Sequence, residues 1–113
     1  MNTHAHSEWL WAAARLAGLH PTAEGYVIDP AAPGEFSFRS VVAELTVGKS
    51  GIQGRFILKG SGRMRVSIRD RQQSSRVTVR GRPVNYTSEA GWISFELDHS
   101  AHEIVKWEMA WGL

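Results

Sequence analysis

The sequence predicts an all-β fold: an antiparallel two-sheet β-sandwich of seven to eight strands, preceded by one short N-terminal α-helix. Three observations carry this expectation. Apolar and polar residues alternate from Gly25 onward, clusters of Gly, Ser, Asn and Asp cut that alternation into short runs, and a helical period is confined to the first twenty positions. Strands with one apolar and one polar face bury themselves best by stacking two sheets. The domain organisation expected is an N-terminal tail, helix and connector over 1–24, then a sandwich over 25–113.

The helix is read in "SEWLWAAARLAG". Ser7 suits an N-cap, Glu8 favours the positive end of the helix dipole, and the alanines have high helix propensity. Gly18 and Pro21 supply the stop. Trp9, Ala12, Ala13 and Leu16 fall on one face, with Leu10 and Ala17 beside it. A helix of about a dozen residues does not hold itself together in water, so that face needs something to dock on.

The strand runs follow in order. "FSFRSVVAELTV" places Phe36 and Phe38 on one face. Val41, Ala43, Leu45 and Val47 share that face only if one residue is skipped, which predicts a bulge or bend near Arg39–Ser40. "GIQGRFILKG" comes next, after the turn signal "GKSG". In "RMRVSIRD", Met64, Val66 and Ile68 point inward and Arg63, Arg65, Ser67 and Arg69 outward. "SRVTVRG" buries Val77 and Val79, and Gly81 opens a tight connection to "RPVNY". "GWISFELDHS" separates Ile93, Phe95 and Leu97 from Trp92, Ser94, Glu96 and Asp98. "HEIVKWEMAW" aligns Val105, Trp107, Met109 and Trp111.

Composition narrows the functional classes. A chain of 113 residues is one domain, long enough to bury a core without staples. It contains no cysteine, so disulfides and thiolate metal sites are excluded. No apolar run reaches the length of a membrane span, and the N-terminus lacks the basic start of a signal peptide, so no membrane partner is expected. Net charge is only +2, yet arginines crowd into residues 55–82. Arg63, Arg65, Arg69, Arg71, Arg76 and Arg80 make a candidate polyanion face. The bland alternative is a solvated strand surface, and the scarcity of stacking aromatics there argues against nucleic acid.

Several residues invite a chemical reading. Glu96 and Asp98 share a strand face at a spacing of roughly 7 Å, which an inverting glycosidase pair can use. Nothing nearby in sequence separates their protonation, so two solvated carboxylates are the simpler account. "DHS" (Asp98, His99, Ser100) holds triad residue types, but consecutive strand residues point to opposite faces. His4 and His6 lack the further ligands of a metal site, and neither a metal nor a cofactor is expected. "GSGR" at 60–63 reads as a hairpin turn. Among five tryptophans, Trp107 and Trp111 look like core, Trp9 and Trp11 like docking residues, and Trp92 like an exposed platform for a sugar ring.

The order of segments resembles the C-terminal end of six-hairpin glycosidases, the hydrolases and phosphorylases built on an (α/α)6 barrel. There the last barrel helix leads through a connector into a β-sandwich. Gly18, Pro21, Gly25, Ile28, Pro30 and Pro33 match that connector. Val77, Val79, Gly81, Arg82, Pro83 and Val84 are similar to a hairpin of those sandwiches, with Arg80 standing where asparagine is usual. The resemblance implies a non-catalytic accessory domain of carbohydrate metabolism, which braces or docks on a catalytic barrel chain or on itself. It carries no catalytic residue onto this chain.

The docking surface expected is Trp9, Leu10, Trp11 and Arg15 on the helix, an apolar patch that invites a partner or self-association into an oligomer. The alternative is an independent carbohydrate-binding sandwich that holds an oligosaccharide with Trp92, Glu96 and Asp98. An enzyme acting alone through Glu96 and Asp98 is the third and weakest reading.

Overall fold

The computed structural model describes residues 18–30, 35–70 and 76–111. Alternation becomes two stacked sheets there, and the chain is an all-β sandwich. The strands are β1 Leu19–Pro21, β2 Gly25–Ile28, β3 Phe36–Arg39, β4 Ala43–Val47, β5 Gly51–Ile57, β6 Gly62–Arg69, β7 Arg76–Val79, β8 Arg82–Pro83, β9 Thr87–Glu89, β10 Trp92–His99 and β11 Ile104–Ala110. One sheet runs β1-β2-β6-β10-β9 and the other β3-β4-β5-β11-β7-β8. The helix expected at the N-terminus, with His4 and His6, lies outside the described residues.

Parity settles which side chains meet between the sheets. Met64, Val66 and Ile68 of β6 are buried against Leu45, Ile52 and Phe56 of the facing sheet's strands, together with Ile93, Phe95 and Leu97 of β10 and Val105, Trp107 and Met109 of β11. Among the described residues no polar or charged side chain is buried. This division is the thermodynamic reason for the fold, because each buried aliphatic or aromatic side chain contributes about 1.5–3 kcal/mol on leaving water.

At the centre, Tyr26 of β2 stacks on Phe56 of β5 at 4.8 Å, and Phe56 lies 5.9 Å from Trp107 of β11. Three near-parallel rings therefore tie one sheet to the other. Partial burial raises the Tyr26 phenol above its ordinary pKa, since the phenolate is the worse-solvated form there. Gly54 makes the stack possible. A Cβ at this position would stand 2.5 Å from both Cζ2 and Nε1 of Trp107, so the indole occupies the space that any side chain would need.

Four features differ from the sequence expectation. There are eleven strands among the described residues, more than the seven to eight expected, because β1, β8 and β9 are only two or three residues long. Alternation cannot register in so short a run, and pairing alone defines them. Leu19–Pro21, grouped with the connector in the sequence reading, is one of these and pairs with β2.

The sheets are also not wholly antiparallel. β2 runs parallel to β6, with Tyr26 opposite Val66 and Ile28 opposite Ile68. The intervening chain crosses to the other sheet and back, which supplies the long connection a parallel pair needs.

The break near Arg39–Ser40 is a hairpin turn and not a bulge. Phe38 pairs with Leu45 and Arg39 with Glu44, while Ser40 N donates to Ala43 O at 2.9 Å and Ser40 Oγ accepts from Ala43 N at 3.1 Å. The parity slip was real, but a reversal produces it as well as a bulge does. Val41, expected on the inner face, sits in this turn and is 86% exposed. Finally, "GSGR" joins β5 to β6 in different sheets and is a crossing, not a hairpin.

Two hairpins share one turn geometry. Arg80 and Gly81 have φ of 55° and 77° between paired Val79 and Arg82, and Ala90 and Gly91 have 52° and 83° between paired Glu89 and Trp92. Positive φ at both central positions is the twist-matched two-residue turn, which glycine and asparagine adopt most readily.

Candidate functional site

The outer face of the five-stranded sheet holds the sugar-site candidates. Strand β10 presents Trp92, Ser94, Glu96 and Asp98 outward, opposite Arg69, Ser67, Arg65 and Arg63 of β6 in that order. The Arg69 guanidinium lies over the Trp92 ring, 5.3 Å from its centroid, and the indole is half-buried. Cation–π attraction thus uses one face of the expected platform. Ser67 and Ser94 hydroxyls meet at 2.9 Å.

Glu96 and Asp98 do share a face, but one arginine holds both. Arg63 Nη2 lies 2.9 Å from Glu96 Oε2, and Arg63 Nε lies 3.8 Å from Asp98 Oδ1. One guanidinium thus engages both side chains in a charge-paired ladder along the strand face. The Glu96 carboxylate turns diagonally to Arg63. This leaves Arg65, directly across the strands from Glu96, with no side-chain partner among the described residues.

Beside this ladder is a groove of about 560 Å3, lined by Arg63, Arg65, Asn85, Tyr86, Thr87, Ser94 and Glu96 among others. It exists because β9 covers only Trp92–Ser94 of β10, after which the chain between β8 and β9 crosses to the other sheet. Its size falls in the range of small-molecule sites, roughly 300–1,000 Å3. Asn85 and Tyr86 were not singled out in the sequence. "RPVNY" reads there as an ordinary strand, whereas only Arg82–Pro83 pairs.

The opposite outer face, on the six-stranded sheet, differs in character. Val42, just before β4, Ile57 of β5 and Ile104 of β11 form a row: Ile57 N donates to Val42 O at 2.9 Å, and Ile57 pairs with Ile104. Val41, Val42 and Ile104 are the large hydrophobics most exposed among the described residues, and two of them, Val42 and Ile104, stand in this row. The next row inward is Arg39, Glu44, Arg55 and Lys106, with Arg39 Nε 3.2 Å from Glu44. Cations therefore outnumber carboxylates beside the apolar row.

The sandwich also has a clasp. Arg80, at the end of β7, donates from Nε to Glu103 Oε2 at 2.9 Å and from Nη2 to Glu103 Oε1 at 3.0 Å. The same Nη2 donates to Asp98 O at 2.7 Å on the other sheet. The bidentate bond from Arg80 first, and the Ser100 N–H second, hold the Glu103 carboxyl below its ordinary pKa. This clasp explains why an arginine serves at a turn position that favours asparagine.

Of the six arginines proposed as one polyanion face, the five that are described are not brought together on one sheet. Arg63, Arg65 and Arg69 belong to β6 in one sheet, while Arg76 heads β7 in the other and Arg80 follows it. Arg71 lies outside the described residues. Strand adjacency in sequence hides this division, since the chain changes sheets between β6 and β7. Trp9, Leu10, Trp11 and Arg15 also lie outside the described residues. Among those described, no group of three or more His, Asp or Glu side chains is placed to hold a metal ion, and no helix is long and apolar enough to cross a membrane. Protein-family models and curated proteins were compared with the chain, and none matches it.

Proposed function

We propose that this chain is a non-catalytic accessory module of a carbohydrate-active enzyme, docking on a catalytic chain of the (α/α)6-barrel kind. The observation that carries the docking is the row of Val42, Ile57 and Ile104 on one corner of the six-stranded sheet, with Val42 and Ile104 exposed. Scattered surface aliphatics need no explanation, but a contiguous row at one place is a contact surface. The order of segments in the sequence, similar to the tail of six-hairpin glycosidases, supports the choice of partner.

Charge argues for a different chain over a second copy. A two-fold contact through this corner would bring Arg55 and Lys106 of one copy toward those of the other. A partner with an apolar centre and an acidic margin satisfies both parts of the surface. The test is sedimentation of the chain with an (α/α)6 catalytic chain from the same source, using wild type and a Val42→Asp/Ile104→Asp variant. A one-to-one complex that weakens about tenfold or more in the variant is expected, since an apolar contact is replaced by buried charge. No complex, or one indifferent to both substitutions, overturns the reading.

A second reading has its own observation. The groove beside Glu96 opens on a polar strand face with hydroxyl, amide and guanidinium groups converging, which suits a polyhydroxylated ligand. Carbohydrate binding at this face is compatible with docking at the other, because the two surfaces lie on opposite sides of the sandwich. Trp92 then serves at the margin, with Arg69 already stacked on it.

A further inference from the structure

We infer that Arg65 is the anchor for a carboxylate, and that the ligand of this face is an acidic oligosaccharide built from uronic acid residues. The inference rests on the carbohydrate-binding reading and specifies the sugar class. Its starting point is the diagonal pairing at the strand ladder. Glu96 is the cross-strand neighbour of Arg65, yet its carboxylate is 2.9 Å from Arg63, which also reaches Asp98. Arg63 is thereby paired within the protein, and among the described residues no carboxylate pairs with Arg65. A planar guanidinium with five donors and no side-chain acceptor among the described residues matches a carboxylate in a bidentate manner.

The surroundings decide between a small anion and a sugar acid. The Arg65 groove is also lined by Asn85, Thr87 and Ser94, which offer amide and hydroxyl groups for ring hydroxyls, and by the half-buried Tyr86, which offers an apolar wall. A simple phosphate or acetate would use the arginine alone and leave the rest idle. On the other side of Arg65 lies a second hollow of about 430 Å3, lined by Thr22, Glu24, Val27 and Ser67. Arg65 therefore stands between two hollows that continue across the strands, a track that an extended chain of several sugars fills better than a single residue. Of the charged groups lining the groove, Arg63 and Glu96 pair with each other, which leaves the Arg65 guanidinium to attract an anion.

The experiment is calorimetric titration of the full chain with a linear hexuronate tetramer and with its neutral hexose counterpart. Wild type is compared with Arg65→Met, Arg65→Lys and Lys106→Met, the last removing one positive charge from the opposite face. Saturable binding of the acidic tetramer is expected, weaker by about tenfold or more in Arg65→Met and intermediate in Arg65→Lys, which keeps charge without the fork. Lys106→Met should bind as wild type does. Thermal melting of Arg65→Met should match wild type, because among the described residues its guanidinium has no side-chain partner to lose. Equal affinity for the neutral tetramer overturns the sugar class and leaves carbohydrate binding standing. Binding of neither tetramer overturns both. A loss in Lys106→Met as large as in Arg65→Met overturns the site, because only overall charge would then be acting.

Discussion

Replacing Gly54 by alanine tests the central packing argument most directly. The added methyl would lie 2.5 Å from Cζ2 and Nε1 of Trp107, against an optimal carbon–carbon separation of about 3.5–4.0 Å. The indole would have to retreat by roughly 1 Å or more. It has nowhere to go, being 1% exposed and faced by Phe56, which Tyr26 backs in turn. Overpacking of a filled core costs about 1–3 kcal/mol. The reduced freedom of the unfolded chain on exchanging glycine for alanine offsets about 0.4–1 kcal/mol of this.

The net expectation for Gly54→Ala is a loss of about 1.3 kcal/mol at mid-range, within a span of about 0–2.6 kcal/mol. With a urea dependence of about 1–3 kcal/mol per molar, the unfolding midpoint should fall by roughly 0.5–1 M, read by tryptophan fluorescence. Trp107→Leu alone should destabilise through a cavity, but the pair Gly54→Ala/Trp107→Leu should lose less than the sum of the singles, since the methyl then fills vacated space. A midpoint for Gly54→Ala equal to or above that of wild type would refute the reasoning, as would strict additivity in the pair.

Two other predictions concern the turns and the clasp. Ala90 is exposed and holds φ of 52°, so Ala90→Gly should raise stability by several tenths of a kcal/mol up to about 1 kcal/mol, seen as a higher urea midpoint. A fall would mean that the turn is not of this type. The Arg80–Glu103 clasp should show in acid. A depressed carboxyl pKa contributes stability that is complete above the unfolded value of about 4.3 and is lost as pH falls through the lower folded value. Urea midpoints measured from pH 7 down to pH 3 should therefore decline less steeply for Glu103→Gln than for wild type. Identical slopes would remove the clasp from the acid response.

The residues themselves determined the layered β architecture and most of its interior. Met64, Val66, Ile68, Val77, Val79, Ile93, Phe95, Leu97, Val105, Trp107 and Met109 are inward by parity alone, because a strand has a two-residue period and only one dry side. Even the irregularity at Arg39–Ser40 was legible as a change of phase. Whether a phase change is a bulge or a reversal depends on what pairs across it, and pairing is a property of the assembled sheet.

Tertiary structure alone decided the rest. The parallel pairing of β2 with β6 and the shortest strands exist only because a neighbour is present. Sheet membership put Arg63, Arg65 and Arg69 on one sheet and Arg76 on the other, which no spacing reveals when the chain crosses between sheets. The candidate surfaces are tertiary in the same sense. Val42, Ile57 and Ile104 are far apart in sequence and adjacent on one face, while Glu96 chooses between two arginines and leaves Arg65 without a side-chain partner among the described residues. Strand period is local and can be read along the chain; charge pairing and surface continuity are set by register, which is not.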